Sequence, residues 1–361
     1  MNFYSNFAQN KNSNLKLIEN SLTAVFLKLK ELNLISLNIS DYNKKYLGDH
    51  VKDFQKTAWF LSHIFMLVNE KGKSFSDLTI LDYGGGSGVL SFFAKELGIG
   101  TVIYNDIYDV SCTDVKVISK ALNVTIDYII PGDISNVVAF IKDKKIEVDF
   151  VLAHDVIEHI YNVNQWYADL KEILVPQSTV ICTSHANKYN PLIRHKLETL
   201  QINAEINSQK KQWGHKERDS LESFYDIRKL LIKEQAPQLE QNEVADLATA
   251  TRGLMNMDIK LAVNDYISEG KITVKPSNRK NTCDPNTGNW IEQLIDLNQL
   301  SIKLNELGYQ NKITAGFYIS SKGNFIVKML KKTANYGIYF LKKNGLYLSP
   351  YYVVTSQLNK I

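Results

Sequence analysis

The chain has 361 residues, 44% of them hydrophobic and 22% charged, and a net charge of +4. That is ordinary for a globular protein, and the length allows a core plus a second lobe. Three scattered cysteines (Cys112, Cys182, Cys283) exclude a disulfide framework or a zinc site, and no metal is expected. No window reaches the ~20 apolar residues of a membrane-spanning helix, and Lys and Arg are interleaved with Asp and Glu, which argues against a nucleic-acid footprint.

The first segment, residues 1–75, reads as a helical cap. Met1 to Lys16 is polar and Asn-rich, without the apolar run of a secretion signal, so a reducing cytoplasm is the expected compartment. From about 14 to 70 the apolar residues recur at helical spacing: Leu22, Val25, Phe26, Leu29 and Leu32, then Trp59, Ile64, Phe65, Leu67 and Val68. Between these stripes, Asp41 to Gly48 is aromatic and polar and reads as a loop. It carries Tyr42 and Tyr46, candidates for the mouth of a ligand site, with Tyr46 a candidate acceptor contact.

From 76 to 186 strands and helices alternate, the pattern of a parallel sheet with crossover helices. Strands are expected at 78–82, 101–105, 126–130, 148–153 and 178–183, with helices over Leu90 to Leu97, Val115 to Leu122 and Trp166 to Leu174. Right-handed crossovers bring the C-terminal ends of parallel strands to one edge, where such sheets bind ligands. The first strand runs into Asp82-Tyr83-Gly84-Gly85-Gly86-Ser87-Gly88, with glycines at alternate positions and a carboxylate two residues before the first. A dinucleotide turn needs G-x-G-x-x-G, and its last glycine would fall at Val89, so a nicotinamide cofactor is disfavoured.

Asp-x-Gly-x-Gly-x-Gly resembles the first motif of the class I S-adenosylmethionine-dependent methyltransferases. The segment His154-Asp155-Val156-Ile157-Glu158-His159-Ile160 resembles the Asp/Glu-x-x-Glu-His-hydrophobic signature of their relatives in quinone biosynthesis. The resemblance covers residues 77–185, about a third of the chain. It implies a Rossmann-like α/β fold: a seven-stranded, mostly parallel sheet with helices on both faces and the last strand inserted antiparallel. It also implies S-adenosyl-L-methionine as cofactor and S-adenosyl-L-homocysteine as product.

Against that cofactor, Gly84, Gly86 and Gly88 allow close backbone approach, and Asp82 meets the methionine ammonium directly or through water. Asp106, eighteen residues after Gly88, accepts the ribose hydroxyls, and Asp133, after the third strand, bonds the adenine amino group. His154, at the fourth strand's tip, lies toward the methionine end. Asp155 and His159, four apart, would share one face of a helical turn, so that the carboxylate orients the imidazole. Hydroxyl methylation needs a base, and His154, His159 and His185 are the candidates.

Residues 187–290 break the alternation and read as a helical insert, a lid or substrate lobe. Its candidate acceptor contacts are Asn187, His215, Arg218, Arg252 and Trp290, suited to a small polar metabolite or a saccharide. Residues 291–361 complete the sheet, with a helix from Trp290 to Leu307, a strand at 311–318 and a last strand from Tyr351 to Ser356. The apolar and basic stretch Phe325 to Lys343 reads first as a helix packed on the sheet and second as an interfacial helix on an anionic membrane. The expected activity is methyl transfer, with O-methylation placed ahead of N-methylation. The alternatives are a non-catalytic cofactor-binding module serving a partner protein and, disfavoured by the glycine spacing, an NAD-dependent oxidoreductase.

Overall fold

The computed structural model describes residues 3–4, 13–70, 72–208, 218, 220–274 and 280–359. The chain forms two compact units. Unit 1 comprises Met1–Val156, Asn164–Ser184 and Leu297–Ile361, and unit 2 comprises Ile157–Val163 and His185–Asp296.

Unit 1 contains a seven-stranded sheet made of β1 (Thr79–Tyr83), β2 (Thr101–Asp106), β3 (Tyr128–Pro131), β4 (Val148–His154), β5 (Leu174–Ser184), β6 (Tyr309–Ala315) and β7 (Tyr352–Leu358). The order is β3-β2-β1-β4-β5-β7-β6. The first five strands run parallel, and β7 lies antiparallel between β5 and β6. This is the arrangement the resemblance implies, including the reversed last strand. Strand alternation sets which residues face which layer. Ile80, Val102, Tyr104, Phe150, Leu152, Ile181 and Val353 pack in one core cluster with apolar residues of the helices. By the same parity Asp82, Asp106 and His154 stand on that face, at or near the C-terminal ends of β1, β2 and β4.

Three helices precede the sheet: α1 (Ser13–Glu31), α2 (Asp41–Lys52) and α3 (Phe54–Asn69). The second replaces the loop expected over Asp41 to Gly48. Ser40 caps it by accepting the Asn43 N–H, Asp41 lies in its first turn, and Asn43 and Leu47 point inward. Its start is anchored to Asp114, which accepts from the Ser40 N–H (3.1 Å) and hydroxyl and from the Asn43 amide at 2.8 Å. Five further helices of unit 1 follow in the sheet region: α4 (Val89–Glu96), α5 (Asp109–Leu122), α6 (Ile134–Lys144), α7 (Val163–Leu170, whose first residue belongs to unit 2) and, after unit 2, α12 (Leu297–Glu306).

The helix expected from Trp290 is shorter than its pattern. Trp290 instead forms an antiparallel bridge with Cys283, and α12 starts at Leu297. The C-terminal helix α13 (Phe325–Leu341) is not turned as the sequence suggested. Among its described residues only Asn335 and Ile338 are buried, and Phe325, Met329, Tyr336 and Phe340 are exposed.

Unit 2 is helical, with α8 (Pro191–Ile206), α9 (Phe224–Gln235), α10 (Gln241–Ala250) and α11 (Asn256–Glu269). Ile232, Leu247, Ile259, Ala262 and Val263 form its apolar core.

Candidate active site

The glycine loop joins β1 to α4 through a run of left-handed backbone, with φ of 70° at Gly84, 53° at Gly86 and 79° at Gly88. Only glycine takes these angles without strain. Two of the three are also sterically closed: a Cβ on Gly84 would stand 2.7 Å from Val156 and one on Gly88 2.4 Å from Val115. Gly86 is different, because a Cβ there would meet no atom within 4 Å. The loop therefore packs at both ends and opens in the middle. Its course is set by β2, where Asn105 C=O accepts the Gly85 N–H (2.8 Å) and the Tyr104 hydroxyl donates to Gly86 C=O (2.6 Å).

Asp106 ends β2 and is 4% exposed. One carboxylate oxygen accepts the Gly86 N–H and the other the Tyr108 N–H, each at 2.9 Å. Asp82 lies under the loop and accepts from the Ser91 hydroxyl of α4 at 2.6 Å. Burial, with a smaller push from Asp106, raises its carboxyl to about 7, while the Ser91 bond acts against the shift. Asp133 is exposed and caps α6, accepting from the Ser135 N–H (2.9 Å) and hydroxyl (2.6 Å). This cap is a structural role that the sequence reading did not assign to it.

At the end of β4, His154 Nδ1 lies 2.5 Å from Thr183 Oγ1, and Nε2 lies 3.8 Å from Asp155 Oδ2. Asp155 has a left-handed φ of 53°, and its N–H donates to Thr183 C=O. The helical turn expected to align Asp155 with His159 is therefore absent at Asp155. Only Ile157–His159 form a single 3₁₀ turn, and the carboxylate neighbours His154 instead. A non-glycine residue at positive φ beside a strand tip is uncommon, although aspartate takes this conformation more readily than most.

The α2 helix brings residues to the same part of unit 1. The Tyr42 ring lies 4.5 Å from that of the exposed Tyr46, tilted by 34°, and its hydroxyl is held protonated by burial, by Tyr46 and by the charge of Asp106. His50 accepts from or donates to Thr57 Oγ1 at 2.9 Å. Its imidazole is pushed down to about 4 by burial first, then by the positive charge of His154 and Lys56. Phe60 lies 5.4 Å from the His154 ring. The sequence reading missed His50, Lys56 and Phe60, and no local signal marks them, because they join the site only through the docking of α2 and α3.

The remaining expected residues belong to unit 2. His159 Nδ1 bonds Trp290 C=O at 2.9 Å, with Glu292 at 3.9 Å from its other nitrogen. Trp290, expected as an acceptor contact, is a core residue, 3% exposed. It stacks on Tyr161 and donates its indole N–H to Tyr161 C=O. Asn187 is fully buried, and its side chain accepts the Tyr189 N–H. His185 is half-buried, and its C=O accepts the Asn187 N–H. Arg252 donates to Lys280 C=O and lies 3.9 Å from Glu205. Arg218 is exposed. His215 lies outside the described residues. Among the described residues, no group of three or more His, Cys, Asp or Glu is arranged to hold a metal.

No family model matches the sequence, and no curated protein matches it either. Its structural neighbours include S-adenosylmethionine-dependent methyltransferases. The plantazolicin methyltransferase BpumL, solved with a triazolic desmethylPZN analogue and S-adenosylhomocysteine, is 13% identical over 95% of this chain and 98% of that one, at a TM-score of 0.39. A methyltransferase from Archaeoglobus fulgidus is 13% identical over 82% of this chain and 94% of its own, at 0.37. The CurJ carbon methyltransferase is 10% identical over 82% of this chain, at 0.37, and the present chain spans 52% of its length. The fold assignment itself rests on the sheet order.

Proposed function

We propose that the chain is an S-adenosyl-L-methionine-dependent methyltransferase acting on a small polar acceptor, a metabolite or a saccharide, with O-methylation ahead of N-methylation. The observation that carries this reading is the pairing of Asp106 with the open middle of the glycine loop. A buried carboxylate at the end of β2 is held by two backbone amides and by no cation among the described residues, beside a glycine with open space above it. Each of its oxygens keeps a second lone pair for the hydroxyls of a ribose.

The cofactor supplies an electrophilic methyl group on a sulfonium, and the chain supplies position and a base. Asp106 and the Gly86 backbone hold the nucleoside end. Asp82, near 7 when no cation is close, ionises fully beside an ammonium group, since an opposite charge favours the charged form. His154, oriented by Thr183 and neighboured by Asp155, takes the proton of an acceptor hydroxyl. A positioned histidine contributes ~10²–10⁴-fold. His50, pushed down to about 4 mainly by burial, stays neutral at physiological pH. Alignment of the acceptor supplies the larger share, ~7–11 kcal/mol. We assign acceptor recognition to unit 2, whose segments branch from the chain directly after the ends of β4 and β5.

Titration calorimetry with S-adenosylhomocysteine, and NADH as control, tests the reading. One-to-one binding of the former alone is expected, weakened ~10–100-fold in Asp106→Asn, the worth of hydrogen bonds to a charged group. Binding of NADH alone overturns the cofactor, and an undiminished Asp106→Asn overturns the ribose contact. Tight binding without methyl transfer across a labelled-methyl acceptor screen would leave a non-catalytic module.

A further inference from the structure

We propose that helix α13 docks unit 1 in the plane of an anionic lipid membrane, independently of any methyl transfer. The helix is turned with its apolar side outward, and that orientation is built in. The Asn335 side chain points inward and bonds both backbone groups of Tyr318, donating to its C=O at 2.9 Å and accepting its N–H at 2.8 Å. This two-point clamp fixes the rotation of the helix about its axis. Roughly opposite the buried Ile338, and about 110° round the helix from Asn335, Phe325 (76% exposed), Met329, Tyr336 and Phe340 (74%) fall within roughly 60° of one another at 3.6 residues per turn. Ile326 and Leu330 widen the stripe. A contiguous apolar face of this kind on a monomer marks an interaction surface.

The charge around the stripe selects the occupant. Lys328 and Lys332 line one edge of it, and Lys342 and Lys343 follow its end. Residues 307–361 hold eight lysines and no Asp or Glu, whereas residues 1–306 hold 34 basic and 38 acidic residues. The positive charge of the chain is therefore concentrated in this last segment. Aromatic and aliphatic residues framed by lysines are what an interfacial helix needs: apolar burial among the acyl chains and attraction to anionic headgroups. The lysine stems extend along the apolar face and carry their ammonium groups to the headgroup level. A two-fold contact with a second copy would set these lysines against each other with no carboxylate on the face to offset them. Among the described residues no helix is long and apolar enough to cross a membrane, so α13 lies in the surface.

Vesicle co-sedimentation tests this, with phosphatidylcholine alone and phosphatidylcholine containing phosphatidylglycerol. Binding to the anionic vesicles only is expected, weakening as salt rises. Lys328→Gln and Lys332→Gln each weaken it ~5-fold, the worth of one lysine at a charged surface. Phe325→Ser/Phe340→Ser abolishes it, with the circular dichroism spectrum and melting temperature unchanged because both side chains are exposed. Equal binding to neutral and anionic vesicles, or none to either, overturns the proposal. So does a concentration-dependent dimer in sedimentation velocity that Phe340→Ser dissolves, since the face then belongs to a second copy. No readout here depends on cofactor or acceptor.

Discussion

Glu205 in unit 2 is buried as deeply as Asp106 in unit 1, at 6% and 4% exposure, but the two carboxylates are held in opposite ways. Glu205 takes a two-pronged contact from the fully buried Arg228, a bond from the Thr282 hydroxyl at 2.7 Å and a long approach from Arg252. Arg228 also donates its Nε–H to Ala248 C=O at 2.8 Å. Charge there is met by charge, and each of these partners belongs to unit 2. Among the described residues, Asp106 receives two peptide N–H groups. Neutral dipoles hold the carboxylate in place without cancelling it, which leaves an acceptor for a ligand. The insert looks richer in ionisable residues, yet the uncancelled carboxylate lies at the end of β2 in unit 1.

The largest test of that contrast is Arg228→Met. It leaves Glu205 with only the Thr282 hydroxyl and the distant Arg252 among these partners, and removing one partner of a buried pair costs ~3–5 kcal/mol. Urea unfolding should show that loss, and Arg228→Met/Glu205→Met should recover most of it. A neutral single variant would mean that Glu205 is not held by charge at all.

A smaller effect is expected at Asp82, and its sign depends on pH. The folded state binds this proton more tightly than the unfolded chain. Its stabilisation is therefore complete below about pH 4 and is lost as pH rises through 7. Asp82→Asn keeps an acceptor for Ser91 and removes that decline, so the variant should exceed the wild type at pH 8 by on the order of 2–4 kcal/mol. In the same range, wild-type affinity for S-adenosylhomocysteine should rise from pH 6 to 8 as the carboxyl ionises beside the ammonium. The asparagine variant should show a flat profile. A flat wild-type profile would remove Asp82 from the ammonium.

The smallest effect is expected at Asp155. Asp155→Gly should leave melting temperature unchanged or raise it, by up to ~1 kcal/mol, because glycine takes a left-handed φ freely; Asp155→Ala should lower stability by about as much. A glycine variant that unfolds more readily than the alanine one would show that the carboxylate, and not the backbone angle, stabilises the turn.

The glycine loop, Asp82 and Asp106 were legible because strand parity and a local turn define them. The β1–α4 turn needs glycines at set positions whatever surrounds it, and a residue two along a strand faces the same layer. The reversal of β7 was legible only through the resemblance. The helical turn from Asp155 to His159 was read from a spacing of four, but the backbone at Asp155 turns left-handed and places its N–H on Thr183. Trp290 was read as a polar-loop aromatic and is core, because Tyr161 supplies both a stacking face and a carbonyl. The α2 helix was read as a loop because its polar residues are satisfied from outside it, by Asp114 of α5.

The sequence by itself determined the alternating α/β core, the glycine loop and the carboxylate at the end of β2, since these depend on spacing along a few neighbouring residues. Only the tertiary structure decided that His50 comes within electrostatic reach of His154, that Trp290 is buried and that Glu205 is cancelled while Asp106 is not. It also decided which side of α13 faces out, because Asn335 is clamped by Tyr318, seventeen residues earlier in the chain. Each of those outcomes depends on contacts between residues distant in sequence, and helical or strand periodicity carries no information about which partner will arrive.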